Sequence, residues 1–192
     1  MTANSIADII SATILFAVPL LLVALGGMFS ERSGVVNIAL EGIMIVGALF
    51  GCLTLRMLDT AGWGQTNPQL GVFIAVLVSA AAGGIFSLLL AFAAINLRAD
   101  QTIGGTALNM MAPAFAVVLT WAVQGQGQTT ILIPTWVRIT QSTLGLTAGE
   151  EQGFFERLIF KNFYLTTIIA AIILVVSVIV LYRTKFGLRL MA

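Results

Sequence analysis

Residues 31–42, Glu-Arg-Ser-Gly-Val-Val-Asn-Ile-Ala-Leu-Glu-Gly, form a polar island between two charge-free apolar runs, 9–30 and 43–55. An ionisable group at the centre of a membrane helix costs roughly 2.5–3.5 kcal/mol on the gentlest scale. Two acids, an Arg and an Asn therefore need a surface, a water-filled path or another subunit. The rest of the chain has to be arranged around that requirement.

The runs themselves are long. About 20 apolar residues make a helix that crosses the hydrocarbon core, and five segments meet that length: 6–29, 37–57, 69–97, 102–123 and 162–182. Overall 59% of residues are hydrophobic and only 9% charged, against about 25% charged in soluble domains. Helices are the form such segments take in lipid, because an open sheet leaves backbone groups unpaired. The period-two alternation of a membrane barrel is absent. The expected fold class is an all-α integral membrane protein of about five transmembrane helices, with residues 1–192 as one transmembrane domain. The first run is too long for a signal-peptide core, so it is expected to stay as the first span.

Span ends carry interfacial residues. Tyr164 and Tyr182 bracket the fifth run, and 18 steps of about 1.5 Å place them about 27 Å apart, close to the core thickness. Trp63, Trp121 and Trp136 fall near other ends, where an indole can face headgroups. Residues 124–161 are the one substantial loop. It opens on Gln124-Gly125-Gln126-Gly127-Gln128, continues through an apolar stretch, 131–136, too short to span, and holds a possible capping box, Thr147-Ala148-Gly149-Glu150. Phe154, Phe155, Leu158 and Ile159 would form a stripe lying on the membrane or against an outside partner.

Several chemistries are excluded. With no histidine and the single cysteine Cys52, no metal cluster and no internal disulfide can be assembled. No Gly-x-x-x-x-Gly-Lys-Ser/Thr loop exists to cradle a nucleotide, and no Gly-x-Ser-x-Gly elbow to carry a nucleophile. A formal charge of +1 suits neither nucleic acid nor a strongly acidic partner. A secondary transporter couples ions through intramembrane ionisable groups, and Glu41 is the one acid placed well inside a span. An ion-coupled carrier, a purely structural membrane subunit and a transporter energised by another chain remain as alternatives.

Three polar residues carry more than one reading each. Asn37 suits an N-cap and Glu41 the positive end of the helix behind it; equally, both can face a translocation path where a span is broken. Asn109 lies inside the fourth span, four residues before Pro113. Its amide can hydrogen-bond a solute, a neighbouring helix, or a carbonyl freed by the proline. Glu31 and Arg32 fit a surface or subunit contact better than a ligand site. Gly47-x-x-x-Gly51 and Ser79-x-x-x-Gly83 are small-residue pairs that let helices approach closely.

The island resembles the signature of permease subunits from ATP-driven (ABC-type) importers of nucleosides, simple sugars and branched-chain amino acids, with the nucleoside and simple-sugar branch closest. Residues 99–110, Ala-Asp-Gln-Thr-Ile-Gly-Gly-Thr-Ala-Leu-Asn-Met, and 184–189, Thr-Lys-Phe-Gly-Leu-Arg, fit the same family in the same order. The resemblance implies a bacterial inner-membrane, multi-pass permease subunit working by alternating access. It implies a second permease subunit, an extracytoplasmic solute-binding protein and an ATP-binding subunit, with ATP on that partner and no cofactor on this chain. The chain itself would be a transport subunit, not an enzyme, with Asn37, Glu41 and Asn109 along the solute path and Glu31, Arg32 and Arg189 at a contact surface. A branched-chain amino acid importer is the alternative within the family. In the family, a short cytoplasmic helix that docks on the ATPase and further spans follow the 184–189 stretch. The expectation is therefore an N-terminal portion of a larger bundle, incomplete at its C-terminus, as a fragment or a truncated gene.

Arg183, Lys185 and Arg189 cluster after the fifth run, which the positive-inside tendency places in the cytoplasm. Counting back puts residues 30–33 and 98–100 inside, and the N-terminus, 58–68 and 124–161 outside. A reporter fused after Ala192 is expected to behave as cytoplasmic and one inserted at Thr143 as external; the reverse pattern overturns this orientation.

Overall fold

The computed structural model describes residues 3–137 and 165–190, and among them every regular element is helical. In chain order these are α1 (Ala3–Arg32), α2 (Leu40–Thr60), the single turn α3 (Trp63–Thr66), α4 (Pro68–Ile95) and α5 (Gln101–Gln124). A 3₁₀ turn (Thr135–Val137), α6 (Leu165–Arg183) and the short α7 (Lys185–Leu190) follow. Four segments are long and apolar enough to cross a membrane: Ala12–Arg32, Leu40–Thr60, Pro68–Ile95 and Gln101–Gln124. The fifth expected span coincides with α6, whose Ile169–Arg183 is a shorter apolar helix below that length. The chain is thus an all-α, multi-pass membrane protein. Tyr164, the expected capping box and the 154–159 stripe lie outside the described residues.

The helices divide into two compact units, Val35–Arg138 and a second unit formed by Met1–Gly34 with Ile139–Ala192. In the first, α2 packs on both α4 and α5, and α4 also touches α5. Small residues explain how close α2 and α4 come. A Cβ on Gly47 would stand 3.3 Å from both the carbonyl oxygen and the hydroxyl of Ser79, and one on Gly51 3.4 Å from the Ser79 Cβ. Gly83 faces Ile43 in the same way. The two small-residue pairs read from the sequence therefore pack across one helix interface. At the crossing, Val46, Phe86 and Ala112 are buried, with Ile43, Phe50 and Leu108 against them. Most other large apolar side chains are exposed, among them Phe73, Ile85, Phe92 and Val118, as expected where lipid replaces water.

Local chemistry sets the ends of these helices. Asn67 precedes α4 and Pro68 occupies its first turn, where a missing N–H costs nothing. The α2–α3 turn passes through Gly62 at φ +71°, a conformation that a side chain disfavours. The 58–68 connection also serves as a seat for Trp136. Its indole Nε1 donates to Asp59 Oδ1 at 2.7 Å, and its ring lies over Gly64 and Gly71, where added Cβ atoms would collide with it or crowd it. Trp136 is therefore anchored by protein rather than standing free toward headgroups. Trp63 and Trp121 are exposed.

In the second unit, α1 packs against α6 and α6 against α7. The Arg32 guanidinium lies 5.6 Å from the centroid of the Tyr182 ring and donates from Nη2 to its hydroxyl at 3.0 Å. Thr184 Oγ1 donates to Val180 O and accepts from Gly187 N at 3.3 Å, capping α7. Gly187 sits directly against the Leu181 carbonyl, so only a residue without a side chain fits there. The 184–189 stretch, expected as the approach to a short helix, is itself helical from Lys185 onward.

Forcing a branched side chain into a packed contact typically costs about 1–3 kcal/mol. Gly47→Val is accordingly expected to lower the thermal midpoint of the detergent-purified protein. Gly84→Val, at an α4 position where a Cβ meets nothing within 4 Å, is expected to leave it nearly unchanged. Equal losses in both variants would mean that the α2–α4 approach is not what Gly47 serves.

Candidate functional site

The first two family-like stretches meet in space. Residues 35–39 are not helical; they run beside the first two turns of α5. Val36 N donates to Gln101 Oε1 at 3.2 Å. One turn further along, Gly105 lies beneath the lead-in, and a Cβ there would stand 3.0 Å from Ile38 Cβ and 3.2 Å from Ala39 N. Gly42 then meets Asn109, Leu108 and Ala112. From Gln101 to Asn109 is eight steps of about 1.5 Å, or about 12 Å, so the lead-in follows α5 well below its end before α2 begins.

The way α2 begins is unusual. Asn37 Oδ1 accepts from Ala39 N at 3.1 Å, closing a turn ahead of the helix rather than capping it as expected: the N-cap of α2 is Ala39, which no side chain caps, and Ile43 N donates to Ala39 O at 2.9 Å. The rung between these, from Gly42 N to Ile38 O, is missing. Asn109 fills the gap from α5: its Oδ1 accepts from Gly42 N at 2.7 Å, and its Nδ2 donates to Ile38 O at 2.6 Å. One side-chain amide replaces one main-chain hydrogen bond, and the regular helix starts only at Leu40. An inserted side chain of this kind is a known cause of helix irregularity. Asn109 does not serve the carbonyl freed by Pro113; that carbonyl, four residues back, is the main-chain oxygen of Asn109 itself.

Glu41 occupies the first turn of α2 and is exposed. No side-chain hydrogen bond engages its carboxylate among the described residues. Asn37 and Asn109 are half-buried with their carbonyl oxygens committed. At the same end of the unit, Asp100 caps α5, accepting from Thr102 N at 2.7 Å and Ile103 N at 3.2 Å. The backbone N–H groups of Ile103 and Thr102 hold its carboxyl below the usual carboxylate range. Glu31, Arg32 and Arg189 belong to the second unit and are exposed, with Arg32 on Tyr182. No group of three or more His, Cys, Asp or Glu able to hold a metal ion occurs among the described residues.

Sequence reasoning selected Asn37, Glu41 and Asn109, and the structure brings all three to the start of α2. It missed Gln101, Gly42 and Gly105. All three lie inside the recognised stretches, but nothing local distinguishes a glycine that admits a neighbouring backbone from one that ends a turn. The Asp59–Trp136 bond was also missed, because its partners are 77 residues apart.

A span start interrupted within a bundle of apolar helices is a device that membrane transporters use. The chain belongs to the branched-chain amino acid transport system / permease component family, whose pattern it matches over residues 9–192. It is 38% identical over 182 residues to a guanosine ABC transporter permease protein of Bacillus subtilis, covering 95% of this chain and 54% of that protein. It is 34% identical over 189 residues to a nucleoside ABC transporter permease protein of Lactococcus lactis, covering 97% and 56%. The chain therefore spans about half the length of these curated relatives. No solved structure matches it significantly.

The depressed carboxyl of Asp100 makes its contribution pH-dependent. Because its folded-state value lies below the unfolded one of about 3.9, its stabilisation is complete above that pH and is lost as pH falls through the lower folded value. The thermal-midpoint difference between wild type and Asp100→Ala is expected to be constant near neutrality and to narrow only under acid. A gap that widens with acidification would contradict the capping role.

Proposed function

We propose that this chain is a membrane-spanning permease subunit of an ATP-driven importer in a bacterial inner membrane, and that it forms part of the path for a nucleoside by alternating access. The observation that carries the reading is the likeness, over nearly the whole chain, to two relatives named as guanosine and nucleoside permeases. A simple sugar or a branched-chain amino acid is the less favoured solute. ATP would be bound and hydrolysed by a separate ATP-binding subunit. A second permease subunit would complete the path, and an extracytoplasmic solute-binding protein would deliver the solute. Glu31, Arg32 and Arg189 are proposed to serve subunit contact, and residues 124–161 to lie outside.

The start of α2 is the proposed wall of the path. Nucleosides present ribose hydroxyls and base N–H groups, all hydrogen-bond donors, and a carboxylate accepts from any of them. Glu41 supplies such an acceptor, exposed and unengaged. Asn37 and Asn109 shape the same segment, and the small residues Gly42 and Gly105 set how near it lies to α5.

Radiolabelled guanosine uptake, normalised to assembled transporter, tests this reading. Glu41→Gln, which keeps the shape and removes the charge, is expected to reduce normalised uptake about tenfold or more, while assembly and expression stay intact. Losing one good charge-assisted hydrogen bond, about 1.5–3 kcal/mol, corresponds to that size of effect. Normal normalised uptake would remove Glu41 from the path.

A further inference from the structure

We propose that Asn109 is a positioning residue for transport: its amide holds one rung of the α2 ladder open and thereby sets where Glu41 stands, without touching the solute. The inference rests on reading the start of α2 as part of the solute path. Its basis is the match between an amide and a peptide rung. The missing bond needs one acceptor for Gly42 N–H and one donor for Ile38 C=O, and the Asn109 side chain provides both at 2.7 and 2.6 Å. Glu41 lies between these two main-chain groups in sequence, so the geometry of the plug determines its placement.

The surroundings are shaped for the plug. A Cβ on Gly42 would stand 3.0 Å from Asn109 Oδ1 and 3.0 Å from Leu108 O, so a side chain there would push the amide out. Four residues along α5, Pro113 has no N–H to offer the Asn109 carbonyl. The ladder of α5 therefore has a gap at the residue that plugs the ladder of α2. Withdrawal of the amide has a ready outcome, because Gly42 N–H and Ile38 C=O can then pair directly and carry the helix back by one residue toward Asn37. Both arrangements leave these two backbone groups satisfied. A packed element with two such discrete arrangements is the kind that switching proteins use.

Two independent substitutions remove the plug, Asn109→Ala by deleting the amide and Gly42→Ala by crowding it. A solute-free measurement reads the start of α2: the distance between spin labels at Val36→Cys and Met57→Cys in a Cys52→Ser background. A direct rung brings N and O to about 2.9 Å, closer than two bonds with an amide between them. Both single variants and the double are expected to shorten the label distance alike, by about 2 Å on that geometry. In the assembled transporter with its partner subunits, each single variant is expected to lower the maximal rate of guanosine uptake about tenfold with KM within twofold. The double variant should do no worse than the poorer single.

An unchanged label distance overturns the inference, as does a tenfold rise in KM confined to Asn109→Ala, which would mean direct contact with the solute. Should Asn109→Ala fail to fold, Gly42→Ala answers the same question by both readouts. If the wild-type transporter does not take up guanosine, the solute assignment fails, and the label distance still decides whether Asn109 positions the start of α2.

Discussion

The side-chain amide of Asn109 stands in for a peptide bond that α2 does not make. Most of what is distinctive about the first unit depends on that substitution. A helix that begins inside an apolar surrounding has main-chain N–H groups with no water to serve them, and leaving them unpaired is costly. An N-cap side chain from the same helix is the common remedy, and α2, with Ala39 at that position, has none. Asn37 closes a turn on Ala39 ahead of the helix, and the open pair, Gly42 N–H and Ile38 C=O, is served from α5. The polar island can therefore run down beside α5 without abandoning its backbone.

That arrangement requires α5 to be close, and closeness is the work of small residues. Gly105 and Gly42 admit the lead-in to α5, while Gly47, Gly51 and Gly83 admit α2 to α4. In lipid no hydrophobic drive pushes helices together, so dispersion at short range and a few polar bonds must hold them. The buried crossing of Val46, Phe86 and Ala112 supplies the first, and Asn109, Gln101 and Asp59 supply the second. Asp59 and Trp136 close the far end of the unit, where the chain leaving α5 returns to the α2–α4 corner.

The second unit uses the same devices on a smaller scale. Arg32 engages Tyr182 by both its charge and its N–H groups, and the Thr184 cap with Gly187 turns the chain from α6 into α7 at short range. In each unit, residues of a family-like stretch serve main-chain geometry as well as any role in transport. A polar residue within a family-like stretch is thus not evidence of solute contact by itself.

Much was legible in the sequence because the bilayer makes simple demands. Long charge-free runs specify helices, their lengths specify spans, and Asn37, Glu41 and Asn109, picked from recognised stretches, meet at the start of α2. The spacing of Gly47, Gly51, Ser79 and Gly83 announced close packing. What the sequence could not state was the pairing. An asparagine has the same two donors and one acceptor whether it faces a solute, caps its own helix or enters another's ladder. Only the packing of α2 on α5 decided that Asn109 does the last, because hydrogen bonds act over about 3 Å and the residues concerned are 67 and 71 positions apart.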